Sequence, residues 1–113
     1  MNDKPRLWLP KVDERGITEL HYAAYCQDLV AVRYWVGQGC DVNQKTDTGW
    51  TPLVWCIDMA ATGGVGVAES IVDYLIEHGA QLEYKDDQYS SLLEFAYSRD
   101  SAVAMHLEKV IRE

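Results

Sequence analysis

The residues with the most latent chemistry in this sequence are three histidines and three cysteines. His21 and Cys26 lie together in "HYAAYC", and an imidazole beside a thiol is the composition of a nucleophilic pair. No third group has a clear place from which to orient the ring, so the pair is expected to be inert. Cys26, Cys40 and Cys56 show neither a C-x-x-C spacing nor a histidine at a zinc-finger distance. They are expected to be reduced thiols in or near a core, where free cysteine usually sits. His78 precedes Gly79 at an expected helix end, where the helix dipole favours a cation. His106 is expected on a solvated face of the terminal helix.

Two other stretches invite a chemical reading. "TGGVG", residues 62–66, has the glycine content of a phosphate-cradling loop. It lacks the lysine and Ser/Thr of a P-loop, and it follows no expected strand, which removes the dinucleotide fingerprint. A flexible loop between helices is the expectation. Asp86 and Asp87 are adjacent carboxylates, a pattern of solvated turns. No catalytic residue, metal ligand or cofactor is expected, and the chain is read as a non-enzyme that acts by binding.

The charge pattern narrows the partner. Residues 1–45 hold six acids and six bases, whereas residues 46–113 hold twelve acids and four bases, so the whole net charge of −8 lies in the later part. A nucleic-acid surface needs a basic patch to replace phosphate counterions, so nucleic acid is not an expected partner. A protein with a basic surface is. No apolar run approaches the roughly 20 residues that span a bilayer. "MNDKPRLWLPKVDERG" has no apolar signal region, so a cytoplasmic protein, monomeric when free, is expected.

The elements that position these residues recur. "GITELHYAA" at 16–24 is followed 33 residues later by "GWTPLVWCI" at 49–57, and "YSSLLEFAY" stands at 89–97. Each reads as a helix start: Thr18, Thr51 and Ser91 are N-cap types, and Pro52 suits the first helical position because it lacks the N–H that would be orphaned there. A second helix follows in "LVAVRYWVGQ" and in "SIVDYLIEHG", with Leu29, Val32, Trp35 and Val36, then Ile71, Val72, Leu75 and Ile76, on one face. Gly39 and Gly79 are positioned to stop these helices in the left-handed cap conformation. "CDVNQKTDTG" and "AQLEYKDDQY" then read as turns, each with one buried-type residue, Val42 and Leu82.

A unit of turn plus two helices, repeating at 33 residues with "GQGCDVNQK" and "EHGAQLEYK" closing its copies, resembles the ankyrin repeat. The resemblance covers residues 13–113, about three repeats, and implies an all-α solenoid of stacked helix pairs. The expected organisation is one domain: an N-terminal cap over 1–12, with Trp8 and Leu9 laid on the first repeat, then repeats at 13–45 and 46–85, and a C-terminal capping repeat at 86–113. The second repeat carries an insertion near 60–66, read as a surface excursion. The resemblance gives His21 a structural role, tying a helix start to the neighbouring turn; Val54 and Glu94 stand where His21 would recur. Glu108 and Lys109 replace expected apolar residues, as suits a terminal repeat on which nothing stacks.

In the ankyrin family, turn tips and first helices form the concave surface that receives a partner. Carried over here, the turns present Glu14, Arg15 and Ile17, then Asp47, Thr48 and Trp50, then Asp87, Gln88 and Ser90. The first helices add Tyr25 and Cys26, Asp58 and Met59, and Ser98 and Arg99. Trp50 and Tyr25 are hot-spot types, with Asp47, Asp58 and Asp87 expected to set a negative field around them. Trp55 suits either face, and Trp35 is expected in the core. Small standalone proteins of this resemblance include bacterial immunity proteins, so an inhibitor of a basic toxin is the leading expectation. A general scaffold or adaptor is the alternative.

Overall fold

The structure is a computed structural model and describes residues 12–112. The expected cap of Trp8 and Leu9 lies outside the described residues. Among these residues there are six α-helices and no strands, only an isolated bridge between Val12 and Thr18. The helices are α1 (Glu19–Tyr25), α2 (Leu29–Gly37), α3 (Pro52–Asp58), α4 (Val67–Glu77), α5 (Leu92–Arg99) and α6 (Ser101–Arg112). They form two rows. α1 packs on α3 and α3 on α5, while α2 packs on α4 and α4 on α6.

Each first helix begins at the cap its sequence provides. Thr18 accepts from His21 N–H at 3.3 Å, Thr51 from Val54 N–H at 3.4 Å and Ser91 from Glu94 N–H at 3.1 Å. α1 and α3 have seven residues each, too short to persist alone, so packing holds them. Leu20, Leu53, Ile57 and Phe95 are buried on the row of α1, α3 and α5, and Val32, Ile71, Val72, Leu75, Val103 and Leu107 on the second row. Trp35 is half-buried, lying against the core's edge rather than inside it. The second helices stop alike. Gly39 and Gly79 have φ +97 and +96, and the N–H groups of Cys40 and Ala80 reach back to Trp35 and Leu75 carbonyls at 3.1 and 2.9 Å.

Neighbouring repeats are stitched through their turns. Asn43 donates to the Gly79 carbonyl at 2.9 Å and accepts from Gln81 N–H at 2.8 Å. Asp47 N–H meets the Arg15 carbonyl at 2.7 Å. Gly16, at φ +80, has the Lys45 carbonyl oxygen 2.4 Å from where a Cβ would stand. Only glycine permits both the turn and that approach.

The insertion differs from its expectation. Ala60–Thr62 form a 3-10 turn with Ala60 buried, and α4 begins at Val67, directly after the inserted stretch. A Cβ on Gly63 would lie within 3.0 Å of the Gln27 side chain. Gln27 itself, at φ 58, donates to the Cys56 carbonyl at 2.9 Å and the Ala24 carbonyl at 3.1 Å. The excursion is therefore anchored at Ala60 and Gly63, while Ala61, Thr62, Gly64 and Val65 are exposed.

Three further expectations are corrected. Cys26 is exposed, at the end of α1, while Cys40 and Cys56 are buried; burial pushes the Cys56 thiol up to about 12. Ile17, expected on the binding surface, is buried, and its N–H donates to Asp13 Oδ1 at 2.8 Å. His106 is not simply solvated: its Nε2 lies 2.8 Å from Asp73 Oδ1, joining α6 to α4.

Candidate functional site

His21 sets the geometry of the first-helix row. It is fully buried. Its Nδ1 lies 3.1 Å from the Thr18 N–H, and its Nε2 lies 3.0 Å from the Trp50 carbonyl. A backbone N–H must donate and a carbonyl must accept, so the ring is the neutral Nε2–H tautomer. Burial lowers its pKa, opposed by the carbonyl at Trp50. With both nitrogens engaged, His21 is not available to take a proton from Cys26.

The Trp50 carbonyl also accepts from Thr46 N–H at 2.9 Å, and Thr46 Oγ1 accepts from Trp50 N–H at 3.2 Å. The backbone carrying this indole is thus held from both sides. The ring is half-buried. It meets Phe95 edge-on at 5.4 Å between centroids and Tyr84 at 6.4 Å. Trp50 was expected to lie off the core; it packs against the third repeat with one side and keeps the other exposed.

That other side faces an open groove of about 370 Å³ lined by Tyr25, Thr48, Trp50, Trp55 and Asp58. Trp55 comes from α3 and sits edge-on to Tyr25 at 5.7 Å and 63°, to Tyr22 at 5.9 Å and to His21 at 5.1 Å. Such T-shaped contacts fix ring orientation. The groove therefore has rigid aromatic walls set at an angle, with a carboxylate at its rim.

The structure brings Tyr25, Trp50 and Asp58 together, and Trp55 completes the set. The signal for Trp55 lay in its spacing: it precedes Asp58 by one helical turn, as Tyr22 precedes Tyr25. Asp47, Met59 and Asp87 do not line the groove. Asp47 and Asp87 are exposed on turns, and Met59 is the half-buried C-cap of α3. Asp58 is not a free charge, contrary to the expected negative field. Its Oδ1 accepts from Arg99 Nε at 2.7 Å, and the Arg99 guanidinium lies 4.8 Å over the Phe95 ring. The hydrogen bond to Asp58 is the main cause that raises the Arg99 pKa.

On the far side of Trp50 is a second open cleft of about 580 Å³, with Lys45, Gly49, Tyr84, Lys85 and Asp86 in its lining. The Tyr84 hydroxyl donates to Asp86 Oδ2 at 2.5 Å. That bond, with N–H groups from Tyr89 and Gln88, holds the Asp86 carboxyl below its ordinary range.

Comparison with known proteins agrees with this geometry. Residues 6–86 match the family model described as ankyrin repeats (3 copies). The chain is similar to palmitoyltransferase AKR1 of Lachancea kluyveri, at 39% identity over 72% of this chain and 10% of that protein. It is also similar to protein phosphatase 1 regulatory subunit 27 of Mus musculus, at 33% identity over 70% of this chain and 47% of that protein. It thus spans less than half the length of either relative. The helix pairs, the capped helix starts and the matched segment together show that the chain belongs to the ankyrin-repeat family and is a protein–protein interaction module.

Proposed function

We propose that this chain is an inhibitor that binds a basic protein partner, such as a toxin, through the groove between its first helices, in the manner of an immunity protein. The observation that carries the reading is the groove itself: exposed Tyr25 and half-buried Trp50 and Trp55 line it together beside Asp58, on a chain of net charge −8. Rigid aromatic anchors give a partner apolar area at low entropic cost, and the acidic field draws a basic surface toward them. The proposed setting is the cytoplasm, with a monomer as the free form, and neither nucleic acid nor membrane as its target.

The test is an activity assay. The partner is captured from the native host, purified, and assayed with increasing amounts of the chain. An inhibitor abolishes the partner's activity near one equivalent, and Tyr25→Ala weakens inhibition. Binding that leaves activity intact would establish a scaffold instead. Similarity to a protein named as a phosphatase regulatory subunit favours that second reading.

A further inference from the structure

We propose that the groove of Tyr25, Trp50, Trp55 and Asp58 is the seat of a single arginine side chain from the partner, its guanidinium between the rings and hydrogen-bonded to the free edge of Asp58. The proposal rests on the protein-binding reading above and names the chemistry of its central contact.

Three features carry it. The first is the wall geometry: Tyr25 and Trp55 are inclined at 63° with centroids 5.7 Å apart, and Trp50 lines the same groove. A planar cation that stacks on one face presents its edge to another, where the ring quadrupoles attract it. The second is the carboxylate. Asp58 Oδ1 is held by Arg99, while Oδ2 accepts no hydrogen bond from another described residue. The Asp58 side chain keeps 26% of its surface exposed, so Oδ2 can receive a donor from outside. The Arg99 bond meanwhile fixes the carboxylate in place. The third is an internal precedent. Arg99 itself lies over the Phe95 ring and against Asp58, so the chain already places a guanidinium between an aromatic face and this carboxylate. A guanidinium suits the site better than an ammonium, because it is planar, weakly hydrated and carries donors in a fixed fork.

The test titrates the isotope-labelled full chain with three capped tripeptides, Gly-Arg-Gly, Gly-Lys-Gly and Gly-citrulline-Gly, and reads the tryptophan indole N–H signals by NMR. Citrulline keeps the shape of arginine without its charge. The arginine peptide should shift Trp50 and Trp55 and leave Trp35, which lies outside the groove, unmoved. Citrulline should bind about fivefold or more weakly, the scale of one cation–π contact, and lysine should fall between. Asp58→Asn and Tyr25→Leu should each weaken the arginine peptide by a similar factor, while Tyr25→Phe, which keeps the ring, should not. Citrulline binding as tightly as arginine, lysine binding more tightly, or shifts confined to the Asp86–Asp87 turn would overturn the proposal, as would no shift at the groove. If the peptides fail but Tyr25→Leu still releases the captured protein partner, the protein-binding reading stands and only the arginine assignment falls.

Discussion

At the scale of single residues, His21 is the most deeply buried polar side chain among the described residues. It closes the start of α1 and holds the strand of backbone that presents Trp50. Removing it with His21→Ala leaves the buried Thr18 N–H unpaired and a cavity, while the Trp50 carbonyl keeps only its Thr46 donor, at a cost of about 3 kcal/mol, measurable by urea unfolding. The pH dependence has a definite sign. Burial lowers the folded pKa below the ordinary 6.5. Above that value neither state holds the proton and the stability is complete. As pH falls below it the unfolded chain takes up a proton that the native ring refuses, so stability declines until the folded pKa is reached. His21→Gln should therefore flatten the stability–pH curve below about pH 6.5, and an unchanged slope would contradict the burial argument. Two glycines test the backbone in the same way. Gly16 and Gly49 share a positive φ, but only Gly16 faces a carbonyl at 2.4 Å, and nothing lies within 4 Å of a Cβ on Gly49. Gly49→Ala should cost about 1 kcal/mol for the left-handed backbone alone, and Gly16→Ala clearly more, with melting temperatures ranking the two. The caps and the helix-stopping glycines were legible because each depends on residues close in sequence or on a motif repeated in it, whereas the role of His21 came only from the family resemblance, its Trp50 partner lying 29 residues away. The pairing of Asp58 with Arg99 was not legible, because 41 residues separate them and no local pattern joins the two helix ends.

At the scale of elements, the insertion before α4 shows how composition misleads when a distant side chain supplies the packing. "AATGGVG" has the glycine content of a free loop, yet Ala60 is buried and Gly63 lies under Gln27 from the preceding repeat. Gln27 occupies the left-handed region at φ 58 and spends its amide N–H groups on the Ala24 and Cys56 carbonyls. It bolts the turn between α1 and α2 to the end of α3. Gly63→Val should push this side chain aside and cost about 1 to 2 kcal/mol, whereas Val65→Ser, at the exposed tip, should change stability by less than about 0.5 kcal/mol. Equal unfolding midpoints for the two variants would mean that the stretch is not packed. The last element is handled differently. Glu108, which sequence reasoning assigned to an outer face, accepts from the Tyr97 hydroxyl and from Arg112, both at 2.6 Å. A polar residue in the terminal repeat thus ties α6 to α5 while facing water, and Asp100 caps α6 through the N–H groups of Ala102 and Val103.

At the scale of the whole molecule, charge and aromatic surface occupy different places, and that separation makes the binding reading testable. The net charge of −8 arises from residue 46 onward, and exposed acids such as Asp47 and Asp87 stand on turns outside the groove, whereas Tyr25 stands inside it. Long-range fields act on encounter, while close packing acts on residence. Asp47→Lys combined with Asp87→Lys should therefore slow association with a basic partner severalfold at low salt, and the difference should fade as salt screens the field over a Debye length of about 10 Å at 0.1 M. Its dissociation rate should hardly change. Tyr25→Ala should do the reverse, leaving association near its parent value and hastening dissociation by a factor of about ten or more if the ring is a hot spot. Trp50→Ala is a poorer probe, because this indole also packs against Phe95 and Tyr84, so lost binding would be mixed with lost stability. Binding kinetics at two salt concentrations separate the cases. If the double reversal changed dissociation and Tyr25→Ala changed nothing, the turns themselves would be the contact surface, with the aromatic groove serving only to hold the first-helix row together.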